Sequence, residues 1–158
     1  MLARVAVFLG ICFSVLLAQI IFVQWLTIED IRPDFILVLV LIAGRVKGRL
    51  FGQMVGFFMG LIIDAIGVGS YLGLSAFAKT VAGFAAGYLK GRKWRLNFYV
   101  HALFNFLVIV LHFSIFYFIN FAGSELSIEY IFVRYILPSS FYTLVVFLIV
   151  DRLLSLEE

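Results

Sequence analysis

The sequence predicts an all-α, polytopic membrane protein with six transmembrane helices. Hydrophobic residues make up 65% of its 158 residues and charged residues only 13%, and the mean hydropathy is +1.16. A soluble domain of this size would leave much of that apolar surface in water, whereas lipid accommodates it. The apolar runs are continuous and lack the alternating pattern of a membrane β-barrel. Basic loops also alternate with acidic or uncharged loops, which is typical of a chain that crosses a membrane repeatedly.

Six apolar segments follow one another along the chain, and most approach the roughly 20 residues that cross about 30 Å of hydrocarbon. The second has 12 residues. As a helix it rises only about 18 Å, so it needs flanking residues or local thinning of the bilayer to span. The six segments are residues 5–26, 33–44, 51–68, 71–89, 97–120 and 130–154.

The loops after the second and fourth segments are basic, whereas "TIEDIRPD", "GVGS" and "GSELSIE" are acidic or uncharged. Lys and Arg beside apolar spans mark cytoplasmic loops. We therefore predict one integral-membrane domain over residues 1–158 with both termini in the cytoplasm. The basic residues either record topology and meet anionic headgroups or also contact partners, and we do not expect them to bind nucleic acid. They are Arg45, Lys47, Arg49, Lys90, Arg92, Lys93 and Arg95.

The third segment contains small residues and an acid at a spacing of four: Gly52, Gly56, Gly60 and Asp64. This spacing places them on one face of a helix, and glycines on such a face let a neighbouring backbone approach closely. The fourth segment repeats the spacing with Ser75, Lys79, Gly83 and Gly87. The short turn between the segments predicts an antiparallel hairpin with these faces in contact.

Asp64 and Lys79 are predicted to form an ion pair on the inner face of this hairpin. Embedded charges cost several kcal/mol unless they are paired, and a lysine stem can extend toward a partner along the helix. The pair could be a structural clamp between two helices, or the polar floor of a site for a ligand or a partner helix. Both alternatives require that the two side chains face protein rather than lipid.

Polar residues also lie near one face of the fifth segment, at His101, Asn105 and His112. We interpret them, together with Gln19, as hydrogen-bonding residues between helices. Their spacing lacks the carboxylates or cysteines of a metal site, and no phosphate loop or Gly-x-Ser-x-Gly motif is present. We therefore predict no metal, no cofactor and no catalytic site.

Residues 32–89 resemble the family of the bacterial rod-shape-determining protein MreD. The similarity lies in Pro33 and Asp34 at the start of the second segment and in "GFFMGLIID", which contains Gly56, Gly60 and Asp64. It continues in "YLGLSAF" and the small-residue run that follows, and it covers over a third of the chain. The matching residues in this second part are Gly73, Leu74, Gly83 and Gly87.

The resemblance implies a fold similar to the S-components of ECF-type vitamin transporters and a non-enzymatic role in the cell-elongation complex of the bacterial inner membrane. It implies a direct partner, MreC, and indirect association with RodA, a class B penicillin-binding protein and MreB. Candidates for a structural or a partner-binding role are Pro33, Asp34, Gly56, Gly60, Asp64, Gly73, Lys79, Gly83 and Gly87. The alternative function is a transporter subunit that binds a small solute, and a membrane-embedded hydrolase is a weaker third.

Overall fold

A computed structural model describes residues 2–67, 71–91 and 97–155. Within these residues the regular structure is helical, apart from an isolated bridge between Ile28 and Ile31. A 3₁₀ turn, Gly87–Leu89, extends the fifth helix, and a π-helical turn, Phe132–Ile136, joins the last two. The α-helices are α1 Leu2–Ile21, α2 Val23–Leu26, α3 Phe35–Lys47, α4 Arg49–Ala65, α5 Leu74–Ala86, α6 Phe98–Asn120, α7 Ile128–Ile131 and α8 Leu137–Ser155.

The all-helical fold class is confirmed for the described residues. Each predicted segment corresponds to a helix or a continuous helical stretch, except that the first divides into α1 and α2. Two stretches, Phe98–Asn120 and Ile128–Leu154, are long and apolar enough to cross a membrane. Val5–Ile21 is a shorter apolar helix. The remaining long helices have 13 to 17 residues, so their length alone does not identify them as spans.

Helix α3 lies at the centre of the fold and is covered by protein on most of its surface. Seven of its apolar residues are less than 10% exposed: Ile36, Leu37, Val38, Leu39, Val40, Leu41 and Ala43. One side packs in a core with α5, α6 and α8. The other side packs with α1 and α4. Its all-round hydrophobicity therefore reflects burial among other helices.

Glycines bring α3, α4 and α5 into backbone contact. A Cβ added to Gly44 would lie 2.7 Å from the carbonyl oxygen of Gly83, and one on Gly52 would lie 2.7 Å from Cα of Gly44. A Cβ on Gly60 would lie 2.5 Å from Cα of Ala76. The predicted antiparallel hairpin of α4 and α5, with small residues at the contact, is thus confirmed. Helix α3 packs against both helices of the hairpin through Gly44.

The helices alternate in direction, so the bundle has two distinct ends. The ends of α3, α5 and α8 and the starts of α4 and α6 meet at what we call the basic end. There the Lys90 ammonium donates a hydrogen bond to the carbonyl of Lys47 at 2.9 Å. The far end holds the starts of α3 and α5, with Asp34 and Asp64 beside them. The alternation of loop charge in the sequence therefore corresponds to two ends of one bundle.

A single glycine makes the turn between α3 and α4. Gly48 ends one helix and begins the next, with φ at +102°, a region that side chains with a Cβ rarely adopt. The turn lets α4 fold directly back along α3. It also fixes the short length of α3, which is about 20 Å at 1.5 Å per residue.

Candidate functional site

The far end of the bundle contains a cluster of polar side chains from five parts of the fold, which we call the polar cluster. Gln19 comes from α1, Asp34 from the start of α3, Lys79 from α5, His112 from α6 and Thr143 from α8. Lys79, His112 and Thr143 are at most 3% exposed. Buried polar groups are costly unless they bind one another, so the contacts within the cluster decide its role.

Asp34 is the N-cap of α3. Its Oδ1 accepts a hydrogen bond from the N–H of Leu37 at 2.7 Å, which satisfies one of the free N–H groups of the first turn. The backbone N–H of Asp34 donates to Oγ1 of Thr143 at 3.3 Å. Pro33, immediately before it, is fully buried and has no N–H to donate. This position therefore connects the start of α3 to α8.

The second carboxylate oxygen of Asp34 binds a lysine. Nζ of Lys79 donates to Oδ2 at 2.5 Å, and Nε2 of His112 lies 3.5 Å from the same oxygen. The side chains of Lys79 and Asp34 are 4% and 14% exposed. A buried ion pair of this kind persists only when hydrogen bonds satisfy its remaining polar groups. The N-cap bond and His112 provide that for Asp34.

The predicted ion pair between Asp64 and Lys79 is wrong. Both carboxylate oxygens of Asp64 accept hydrogen bonds from the start of α5, from the N–H groups of Gly73, Ser75 and Ala76 at 2.9, 3.3 and 3.2 Å. A helix N-terminus has unsatisfied N–H groups and attracts negative charge, so this carboxylate caps α5. The inward orientation was predicted correctly, since Asp64 is only 6% exposed.

The pocket beside the polar cluster is small, with a volume of about 50 Å³. Arg32, which is exposed, lies at its rim, and Gln19 and Tyr117 form part of its wall. Oε1 of Gln19 accepts a hydrogen bond from the N–H of Phe35 at 2.8 Å, so the predicted interhelical role of Gln19 is confirmed. Small-molecule sites usually have volumes of about 300–1,000 Å³. The polar cluster therefore fits a structural connection better than a solute site.

A second buried ion pair lies at the basic end and corrects the expectation for Arg45. This residue was predicted to face the membrane surface, yet it is 6% exposed and forms an ion pair with Asp151 of α8. Nη1 of Arg45 also lies 3.4 Å from Nε2 of His101. Nδ2 of Asn105 lies 3.3 Å from that same ring nitrogen. The predicted interhelical role of the polar residues in the fifth segment is confirmed for His101 and His112, which lie in the two buried clusters.

The other basic residues of the predicted surface group that are described are exposed. Lys47, Arg49 and Lys90 are accessible, and the guanidinium carbon of Arg49 lies 3.5 Å from the centre of the Tyr88 ring. Arg92, Lys93 and Arg95 lie outside the described residues. The basic end therefore has one buried arginine and at least three exposed cations.

The predicted partner-binding residues lie mostly inside the bundle. The stripe of Gly56 and Gly60 faces α5, and the stripe of Gly83 and Gly87 faces α4. Gly73 lies before α5 with φ at +92°, a conformation that glycine adopts readily. These residues set the positions of helices, so any effect on a partner would act through the shape of the bundle.

Sequence reasoning missed Asp151 and Thr143 as members of these clusters. Both lie in the last segment, more than 100 residues from their partners Arg45 and Asp34. An acid near the end of an apolar run was the available signal for Asp151. Neither residue could be assigned a partner, because spacing within one segment does not determine which distant helix packs against it.

Comparisons with known proteins give no match: no family model, curated protein or solved structure is similar to the chain.

Proposed function

We propose that the chain is an integral-membrane scaffold of the bacterial cell-elongation complex, of the MreD type, with MreC as its direct partner. It crosses the inner membrane six times, with the basic end in the cytoplasm. Several exposed apolar side chains support this placement in lipid, among them Leu50, Leu72, Leu107 and Val145 at 53–78% exposed. Exposed apolar surface on this scale marks contact with membrane or protein.

The observation that most favours a scaffold is that the buried polar side chains at the far end bind other parts of the same chain. The contacts are those of Asp34, Lys79 and Asp64, and the adjoining pocket is only about 50 Å³. A subunit that binds a vitamin-sized solute needs a larger site with several polar groups directed into it, whereas the larger groove of this chain, of about 900 Å³, is lined by apolar residues apart from Arg45 and Lys47. The resemblance of residues 32–89 to the MreD family covers α3, α4 and α5, where these contacts occur.

A scaffold of this type acts by presenting fixed surfaces to other membrane proteins. The buried ion pairs, the contact of His112 with Asp34 and the glycine contacts hold five of the six long helices in the described residues, α3, α4, α5, α6 and α8, in one arrangement. Most of the sequence lies in helices and short loops, so MreC would be met through helix surfaces or loops. RodA, the class B penicillin-binding protein and MreB would then associate indirectly.

Co-purification from membranes tests this function. Tagged chain should recover MreC, and Asp64→Asn should reduce the recovery. The Asn side chain replaces one of two accepting oxygens with an NH2 donor, which leaves N–H groups at the start of α5 without an acceptor at a cost of about 1–3 kcal/mol. Glu29→Gln is the matched control, since Glu29 is an exposed acid near the far end. Failure of the unaltered chain to recover MreC would contradict the proposal, and a stoichiometric small solute in its mass spectrum would favour the transporter subunit.

A further inference from the structure

A lateral groove runs between α1 and α8, with α3 as its floor, and has a volume of about 900 Å³. Its walls are apolar. Helix α8 contributes Val146, Val150 and Leu154. The stretch of α1 and α2 contributes residues spaced alternately by three and four, which places them near one face: Phe8, Ile11, Val15 and Ala18 of α1, Phe22 between the two helices and Trp25 of α2.

The groove has positive charge at the basic end. Arg45 and Lys47 line it there. Arg45 is paired with Asp151, but the ammonium of Lys47 has no ion-pair partner among the described residues, and the residue is exposed. The Lys90 ammonium does not line the groove itself but is hydrogen-bonded to the carbonyl of Lys47 at 2.9 Å, so it adds to the positive charge beside Lys47. An occupant of the groove would therefore need a long apolar part and an anionic group at one end.

We infer that the groove binds an anionic glycerophospholipid, with its phosphate near Lys47 and Lys90 and its acyl chains along α1 and α8. This inference rests on the proposed function only in requiring the chain to lie in a membrane. The groove's volume falls within the ~300–1,000 Å³ typical of small-molecule sites. The apolar walls and the cationic end match the two parts of such a lipid.

Charge also distinguishes a lipid from the other plausible occupant, a transmembrane helix of a partner. Such a helix would bring its own Lys and Arg residues to the cytoplasmic side, next to Lys47 and Lys90, where like charges repel. An anionic headgroup is attracted instead. The short length of α3, which forms the floor of the groove, also favours a lipid as the occupant. Helix α3 extends about 20 Å, less than the ~30 Å hydrocarbon core. Lipid beside so short a helix must rearrange.

Native mass spectrometry of the full chain, released from bilayers of equal phosphatidylglycerol and phosphatidylcholine, tests the inference. The unaltered chain should retain phosphatidylglycerol preferentially. Lys47→Gln should lower the retained ratio about fivefold, which corresponds to the ~1 kcal/mol of one basic side chain near an anionic headgroup. Arg152→Gln removes an exposed cation of α8 that does not line the groove, so the ratio should not change.

A second variant tests the groove itself. Val46 lines it and is 52% exposed, so Val46→Trp should fill space without disturbing the core and should reduce retention of both lipids. Equal retention of the two lipids by the unaltered chain would overturn the inference. So would unchanged retention in Val46→Trp, or a photo-crosslinker at Ile11 that captures a protein instead of lipid.

The two experiments can contradict the scaffold function and the lipid site independently of each other. If the unaltered chain selects phosphatidylglycerol and does not recover MreC, the lipid site stands and the scaffold function falls. If it recovers MreC and retains both lipids equally, the scaffold function stands and the lipid site falls.

Discussion

The two carboxylate oxygens of Asp34 bind different parts of the fold. Oδ1 accepts from the N–H of Leu37 and Oδ2 accepts from Lys79, so one residue both begins α3 and attaches it to α5. His112 adds a third connection, to α6. Because the ion pair is buried, losing one member leaves an uncompensated charge, which is far costlier than losing an exposed pair.

We predict that Asp34→Asn or Lys79→Met alone lowers the free energy of unfolding by about 3–5 kcal/mol, because each leaves one charge buried without its partner. The double variant should cost clearly less than the sum of the two, since neither charge then remains. Thermal unfolding in detergent, followed by circular dichroism, measures the three values. Additive losses would show that Asp34 and Lys79 do not interact.

The exposed pair between Glu29 and Arg134 provides the control. Its atoms lie 3.1 Å apart, but the side chains are 76% and 33% exposed. Glu29→Gln should therefore change the free energy of unfolding by less than about 1 kcal/mol. A loss comparable to that of Asp34→Asn would indicate that burial is not what makes the Asp34–Lys79 pair costly to break.

For single residues, the sequence predicted that Asp64 and Lys79 face inward but not that Arg45 does, and it did not predict the partners of these side chains. The spacing from Gly52 to Asp64 correctly placed Asp64 at the α4–α5 contact, because helical periodicity fixes the face of a residue. It could not reveal that the start of α5 offers three N–H groups to that carboxylate. Nor could it reveal that α3 brings Asp34 to Lys79, since packing between distant segments sets that contact.

Among the helices, α4 and α5 make the closest contact, and their glycines determine the separation. A Cβ on Gly60 would lie 2.5 Å from Cα of Ala76 and 2.6 Å from its nitrogen. Backbone atoms cannot rotate away as a side chain can, so the helices would have to separate. Small residues that allow such approach are a principal means of helix association in membranes.

We predict that Gly60→Ala lowers the free energy of unfolding by about 1–3 kcal/mol, the usual cost of overpacking. Gly10→Ala is the matched control, because a Cβ there would have no atom within 4 Å. In the interior of α1 that change should stabilise the helix by about 0.5–1 kcal/mol. Unfolding in sodium dodecyl sulfate compares the two variants, and equal effects would contradict a tight α4–α5 contact.

The order and approximate bounds of the helices could be predicted from hydropathy, because each apolar run forms a helix of similar extent. The bounds shifted where turn chemistry intervened. The second segment, predicted over residues 33–44, forms Phe35–Lys47, since Asp34 caps its start and Gly48 provides its end. The first segment divides into Leu2–Ile21 and Val23–Leu26, and no proline or glycine marks that break.

Considered as a whole, the molecule has two chemically different ends joined by apolar helices. Exposed cations such as Lys47 and Lys90 lie at one end, and Glu29 and Glu129 lie toward the other. Loop charge predicted this polarity, because alternate loops of an up-and-down bundle lie on the same side. Hydropathy predicted that α3 would be short but could not predict that protein would enclose it, since burial in lipid and burial in protein select the same residues.

The most direct test of the account is the position of the two ends relative to the membrane. In a Cys12→Ala background, which removes the chain's one cysteine, Ser124→Cys would mark the far end and Lys90→Cys the basic end. A membrane-impermeant maleimide added to intact spheroplasts should label Ser124→Cys, and it should label Lys90→Cys only after permeabilisation. Labelling of Lys90→Cys from outside, or of both positions equally in intact spheroplasts, would contradict a membrane bundle with its basic end in the cytoplasm.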